Sequence, residues 1–272
     1  MKKRILLAFQ FCTIVPLTVA GKVTEEDVGA SAAFFPLVGA FQGIAVALPA
    51  FLLVKVLPVD IAAALALVCL ILTNGGFDLD GLADTFDAIA VKSSGNTEQD
   101  RTKRLAVMRD SRTGAIGVIA LVMTLLLKFL LMRTLMSGFY VPTACAVIFL
   151  TPLFSKWITV PGMYHGASAR NDGLGKIFIE YAAFKTLFIS IALLAALSVL
   201  VSSLDLIGTS FMSGMGLCVI LFLTAYLFCI LAIRFLSRRF GGLTGDHFGA
   251  LTETSEILFL LAGYVWLRHS TS

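Results

Sequence analysis

The chain has 272 residues, 58% of them hydrophobic and only 14% charged, with a mean hydropathy of +0.93. A soluble domain carries about 25% charged residues, so this composition excludes a soluble protein and predicts an all-α, polytopic integral membrane bundle. The formal charge of +4 does not point to nucleic acid; with this hydropathy it bears on orientation in a bilayer.

The N-terminus, "MKKRILLAFQFCTIVPL", starts basic and turns apolar, as a signal peptide does. No small-residue cleavage site follows and many apolar runs come later, so it is read as a retained, charged N-terminus. A spanning helix needs about 20 mostly apolar residues. Runs that meet this are 34–57, 59–77, 114–136, 140–161, 186–204 and 207–233. The shorter run 257–267 is a partial seventh, and 5–20, interrupted by Pro16, is interfacial or a short span. The expectation is six to eight spans in one catalytic membrane domain, 1–272. The five cysteines, Cys12, Cys69, Cys145, Cys218 and Cys229, lie in or beside apolar runs without a CxxC pair and read as small buried hydrophobes.

Long polar segments fall at 78–113, 162–185 and 234–256, each separated from the next by two spans and a short link. The links are at 56–60, 137–141 and 202–208, so the spans pair as hairpins and the long segments share one side. Segment 20–33 joins them if 34–77 is also a hairpin. Of the 21 Lys and Arg, all but Lys55, Lys128, Arg133 and Arg268 lie on that side or at its adjoining helix ends; of the 17 acids, all but Asp60 and Asp205 do. The positive-inside rule puts this face in the cytoplasm. Transporters concentrate chemistry near the midplane; this distribution fits an enzyme working at one membrane surface.

The most informative stretch is "NGGFDLDGLADTFDAIA", 74–90, directly after a very apolar run. On a helix, Asp80, Asp84 and Asp87 are spaced i, i+4, i+7 and share a face, with Asp78 partly off it. Like charges so arranged repel, the more so at a membrane surface where the dielectric falls. A divalent cation removes that penalty, and oxygen-only ligands suit Mg²⁺ or Mn²⁺ rather than zinc. Gly75 and Gly76 can break the membrane helix, and Gly81 permits a close approach beside the acids.

Three companions lie on the same face. "VMRDSRTGAIG", 107–117, sets Arg109 and Arg112 beside Asp110 and Ser111 before a helix start, a pattern suited to phosphate oxygens or to simple anchoring. "YHGASARNDGLGK", 164–176, offers Arg170, Asp172 and two glycines. "RRFGGLTGDHFGALTETSE", 238–256, brings Arg239, Thr244, Asp246 and His247 together ahead of the last apolar run. Acids for a metal and arginines for phosphate on one face make a kit for phosphoryl transfer.

In this order and at about these spacings, "FFPLVGAFQG", "GGFDLDGLADTFDA", "MRDSRTGAIG", "ARNDGLGK" and "RRFGGLTGDHFGAL" resemble the cobalamin synthase family, the adenosylcobinamide-GDP ribazoletransferases. The resemblance runs from near residue 5 to near 260. It implies a multi-pass enzyme of the bacterial inner membrane with its active face cytoplasmic. The implied reaction joins adenosylcobinamide-GDP to α-ribazole or its 5′-phosphate, giving adenosylcobalamin or its phosphate and GMP, with Mg²⁺ required. The acidic motif, Asp80, Asp84 and Asp87 with Asp78 beside them, would hold Mg²⁺ on the diphosphate. One of Asp84, Asp87 or Asp246 would take the hydroxyl proton. Arg109, Arg112, Arg170 and Arg239 would neutralise phosphate, with Asp110, Ser111, Asp172, Thr244 and His247 lining the substrate. The implied partners are the two substrates and the lipid bilayer; a homo-oligomer or association with other corrinoid-pathway enzymes stays open.

Two alternatives remain. A CDP-alcohol phosphotransferase would share the chemistry, but its Asp-Gly-x-x-Ala-Arg pattern is broken here by Asp84, and its Gly-Asp-Asp tail is missing. A cation-coupled transporter would place its acids near mid-span in two related halves.

Overall fold

The computed structural model describes residues 1–204 and 211–270, and these fold as an all-α bundle. The link at 205–208, with Asp205, lies outside the described residues. Six helices, or continuous helical runs, are long and apolar enough to cross a membrane, and a bent pair makes a seventh candidate.

The N-terminal helix α1, Lys2–Cys12, rises only about 16 Å at 1.5 Å per residue, too little to cross. Its basic start is tied instead to α2, Glu25–Ser31: Lys3 pairs with Asp27 at 2.6 Å and Arg4 with Glu26 at 3.1 Å. Thr24 and Asp27 close a reciprocal cap on α2, satisfying amide groups that a helix start leaves open. A 3₁₀ turn then leads into α3, Phe35–Leu53, and together Glu25–Leu53 form the first candidate span. The return, α4, Val59–Asn74, is followed by α5, Phe77–Ile89, and α6, Thr97–Val107.

The remaining helices are α7, Ala115–Gly138; α8, Val141–Trp157, continued by α9, Thr159–His165; and the short α10, Leu174–Glu180. Then come α11, Phe184–Ser203, α12, Phe211–Phe240, and α13, Gly245–Ser270. The run Val141–His165 is the hub, with 94% of its span window buried, against 28% for α7 and for α12. On those outer helices Val122 and Leu126, and Leu223, Leu227 and Leu231, leave exposed apolar rows at helical spacing, the face a bilayer solvates. Between helices lipid supplies little hydrophobic drive, so close packing of small residues matters. Gly39 and Gly43 of α3 illustrate it: a Cβ on either would come within 2.5 Å of a backbone oxygen of α8.

The C-terminal region differs from the sequence expectation. Segment 234–256 reads as a long polar connection and 257–267 as a partial span. In the structure α12 continues to Phe240, a tight turn follows, and one 26-residue helix begins at Gly245. Two of the acids that make this segment look like a loop are paired inside the bundle. Glu253 and Glu256 are buried and both pair with Lys128 of α7, Glu253 at 2.5 Å, and Ser155 of α8 donates to Glu256 at 3.1 Å.

Candidate active site

Helix α4 ends at Gly75 and Gly76, whose φ values of +64° and +80° lie in the left-handed region that glycine enters without steric cost. Asn74 secures the turn: its Oδ1 accepts from the Gly76 amide at 3.0 Å. Helix α5 leaves at 87° to α4, lying across the end of the span instead of extending it. Its acidic face is therefore held where the polar segments converge.

The convergence with α13 requires two small residues. A Cβ at Gly81 would come within 2.7 Å of the Asp246 carbonyl oxygen, and one at Gly249 within 2.8 Å of the Asp78 carbonyl oxygen. Any side chain at either position forces the two acid-bearing helices apart. The turn before α13 is zipped to the 167–169 loop by Leu243 N–H to Ala167 O (2.7 Å) and Ala169 N–H to Leu243 O (2.9 Å). That pairing brings Arg170 to 3.3 Å from Asp246. Thr244 caps α13: its hydroxyl accepts the His247 amide at 3.4 Å and donates to Asp246 at 3.3 Å.

The four aspartates of α5 have different surroundings. Asp78 is buried, accepts from Asn74 Nδ2 at 2.5 Å and pairs with Lys156 of α8. Asp87 accepts the Gly114 and Gly117 amides at 2.7 and 2.8 Å, so it caps the N-terminus of α7, where a helix favours negative charge. Asp80 is exposed and Asp84 half-buried. Burial, and then the charges of Asp80, Asp246 and Asp87, push the Asp84 carboxyl up from 3.8 to about 6, with Arg170 opposing. Asp84 is thus the centre of an acidic group drawn from both helices.

The arginines divide as well. Arg170 faces the acids. Arg109 pairs with Asp172 at 2.9 Å and Arg112 with Asp110 at 2.7 Å, at the exposed rim; the Arg112 guanidinium holds the Asp110 carboxyl down at about 2. Such exposed pairs contribute about 0–1 kcal/mol, so a phosphate can replace either carboxylate at little cost. Ser111 is exposed beside them. Arg239 points elsewhere: it donates to the Ile89 carbonyl at 3.2 Å and lies over the Phe235 ring, bracing the C-terminus of α5. Arg104 in turn donates to the Arg239 carbonyl at 3.0 Å. His247 is buried, its Nδ1 accepting the Thr244 amide at 3.0 Å.

Among the described residues, no three acidic, imidazole or thiol side chains form a ready-made ion site. The donor chemistry nonetheless fits Mg²⁺. The open groups are all carboxylates, and this ion is commonly held by one or two of them with water and substrate phosphate completing its shell. Any two of Asp80, Asp84 and Asp246 would supply that number. Sequence reasoning missed Lys156, Asn74 and Arg104. Only Lys156 carried a signal, a lone cation inside an apolar run.

Residues 4–264 match the family model described as Cobalamin-5-phosphate synthase. The chain is 34% identical to an adenosylcobinamide-GDP ribazoletransferase of Thermodesulfovibrio yellowstonii, with 99% of this chain and 100% of that protein covered. It is also 34% identical to one of Geotalea daltonii, with 96% of each covered, and 30% identical to one of Clostridium acetobutylicum, with 97% of each covered. No solved structure gives a significant match.

Proposed function

The chain belongs to the cobalamin-5-phosphate synthase family, and from that premise we propose that it is the transferase that joins adenosylcobinamide-GDP to α-ribazole or α-ribazole 5′-phosphate. A ribose hydroxyl attacks the phosphorus nearer the corrinoid. The new O–P bond forms, the diphosphate bridge breaks, GMP leaves, and the hydroxyl proton passes to a carboxylate. The reaction takes place at the cytoplasmic face of the bacterial inner membrane, where the basic segments sit under the positive-inside rule.

The observation that carries this reading is the acidic group of Asp80, Asp84 and Asp246 facing Arg170, with the Arg109 and Arg112 pairs at its rim. Asp80 and Asp84 would hold Mg²⁺, which when bound neutralises diphosphate charge and helps GMP leave. Asp246, held by Arg170 and Thr244, takes the proton from the attacking hydroxyl. Arg170 stays with the phosphoryl group as its charge shifts toward the bridging oxygen. Arg109 and Arg112 exchange their exposed carboxylates for the outer phosphate and guide the nucleotide in. Asp78 and Asp87 act by fixing α5 against α8 and α7.

GMP release tests this. Purified protein in liposomes receives adenosylcobinamide-GDP, α-ribazole and Mg²⁺; GMP and a cobalamin product in equal amounts are expected, and none with chelator. No GMP from folded protein refutes the reading. One observation favours the cation-coupled transporter instead, the Lys128, Glu253 and Glu256 cluster buried among the spans; that reading predicts ion flux and no GMP.

A further inference from the structure

Two loops meet beside the acidic group, and an ion pair joins them. The loop between α6 and α7 is pinned to α5, where the Gly114 amide donates to Asp87 at 2.7 Å. The loop between α9 and α10 is pinned through Arg170 to Asp246 at 3.3 Å, and Asp246 in turn packs on α5 at Gly81. Arg109 of the first loop donates to both carboxylate oxygens of Asp172 of the second, at 2.9 and 3.2 Å. These contacts close a ring. It runs along α5 from Gly81 to Asp87, through the first loop to Arg109, across to Asp172, and back by Arg170 and Asp246. Asp84 stands midway along the α5 side, and its carboxyl senses the charges of Asp246, Asp87 and Arg170, all members of the ring.

The links of this ring differ in strength. The Asp87 link is made by backbone amides at a helix start. The Arg170–Asp246 link is largely shielded, with side chains 19% and 24% exposed, whereas Arg109 and Asp172 are 59% and 70% exposed. The neighbouring pair, Arg112 with Asp110, lies within one loop, so breaking it uncouples nothing. Breaking Arg109 from Asp172 parts the two loops. A guanidinium accepts a phosphate in the same two-point geometry as a carboxylate, so a phosphate can take the place of Asp172 with no donor left empty. A nucleoside without phosphate has nothing to offer Arg109.

We propose that the Arg109–Asp172 pair is a latch across the acidic group, released when the donor's diphosphate takes over Arg109, so that donor binding opens the site to the acceptor nucleoside. The inference rests on the ribazoletransferase reading and adds an order of events to it. Exposed pairs are weak, so the latch shifts a population and does not bar the way. Acceptor affinity falls in proportion to the open fraction: a latch closed in about four molecules of five weakens α-ribazole about fivefold.

The test is binding of α-ribazole to full-length protein in nanodiscs, followed by the fluorescence of its base, with and without Mg²⁺–pyrophosphate as the latch-opening probe. Steady-state kinetics run alongside. For wild type, the probe is expected to tighten α-ribazole binding about two- to fivefold. Asp172→Asn and Arg109→Gln both break the latch, so each should bind α-ribazole that much more tightly without the probe, and the probe should add little. Their effects on the donor should be opposite: the KM for adenosylcobinamide-GDP falls in Asp172→Asn, which frees Arg109, and rises in Arg109→Gln, which removes it. A residue that merely holds the loops in shape would not move the two substrates in opposite directions. Asp110→Asn frees Arg112 without parting the loops and should leave α-ribazole affinity as it is. Wild-type α-ribazole affinity in folded Asp172→Asn and Arg109→Gln overturns the proposal, as does equal tightening in Asp110→Asn, or wild-type protein that forms GMP yet binds α-ribazole no better with the probe. Latch-dependent binding without any GMP formation would support the latch while refuting the transferase reading.

Discussion

Carboxylates occur in two settings in this bundle, and the contrast between them separates scaffold from chemistry. Buried inside the bundle, Glu253 and Glu256 share the Lys128 ammonium and Asp78 holds that of Lys156. Where the acidic face of α5 meets the start of α13 the acids are short of cations. Arg170 opposes the charge of Asp84 and Asp246, Asp80 adds to it, and the Asp84 carboxyl is raised to about 6 by burial and by its acidic neighbours. A buried charge persists only when paired, so the first set is closed and structural. The second is incomplete as protein and asks for a cation and a phosphate ester to complete it.

Breaking the closed set should have the largest effect on stability. Lys128→Met leaves two carboxylates buried together and is expected to cost about 3–5 kcal/mol, read as a fall in the thermal midpoint in detergent. Combining it with Glu253→Gln and Glu256→Gln should restore most of that loss, since removing a whole buried ion cluster is often neutral. A triple variant as unstable as Lys128→Met would mean that the charges themselves are needed.

Arg170→Gln removes the cation that pairs with Asp246 and opposes Asp84, and with it one charge-assisted contact of about 1.5–3 kcal/mol. A fall in kcat of roughly 10- to 100-fold is expected, against less than tenfold for Arg112→Gln at the rim. Equal effects of the two would erase the distinction between centre and rim. Asp87→Ala should cost about 1 kcal/mol, the usual size of a lost helix cap, with reduced hydrogen-exchange protection confined to the first turn of α7.

The smallest effect is a pH dependence. Because the folded Asp84 pKa of about 6 lies above its ordinary 3.8, its contribution favours the fold at low pH and is lost as pH rises from about 4 through 6. Without divalent cation, stability should fall across that window. Mg²⁺ should raise the thermal midpoint at pH 7.5 and do little at pH 4. A Mg²⁺ shift of the same size at both pH values would disconnect the ion from Asp84.

Much of this was legible in the sequence because bilayer physics writes in long runs. Apolar segments gave the spans, Gly75–Gly76 marked the break after α4, and the aspartate spacing marked the acidic face of α5. What stayed hidden depends on distant partners. Lys156 meets Asp78 across 78 positions and Lys128 meets Glu253 across 125, so the polar half of α13 read as a loop although it is buried helix. Asp87 fits the spacing of a metal ligand, and nothing local reveals the Gly114 and Gly117 amides that occupy it.

The most direct test of the division between closed and open acids is GMP formation by three proteins assayed side by side: wild type, Asp84→Asn, and the Lys128→Met, Glu253→Gln, Glu256→Gln triple variant. The account predicts that Asp84→Asn stays folded but loses activity by on the order of 10²-fold or more, while the triple variant keeps turnover close to wild type. Near-normal GMP formation by Asp84→Asn, or its loss in a folded triple variant, would contradict it.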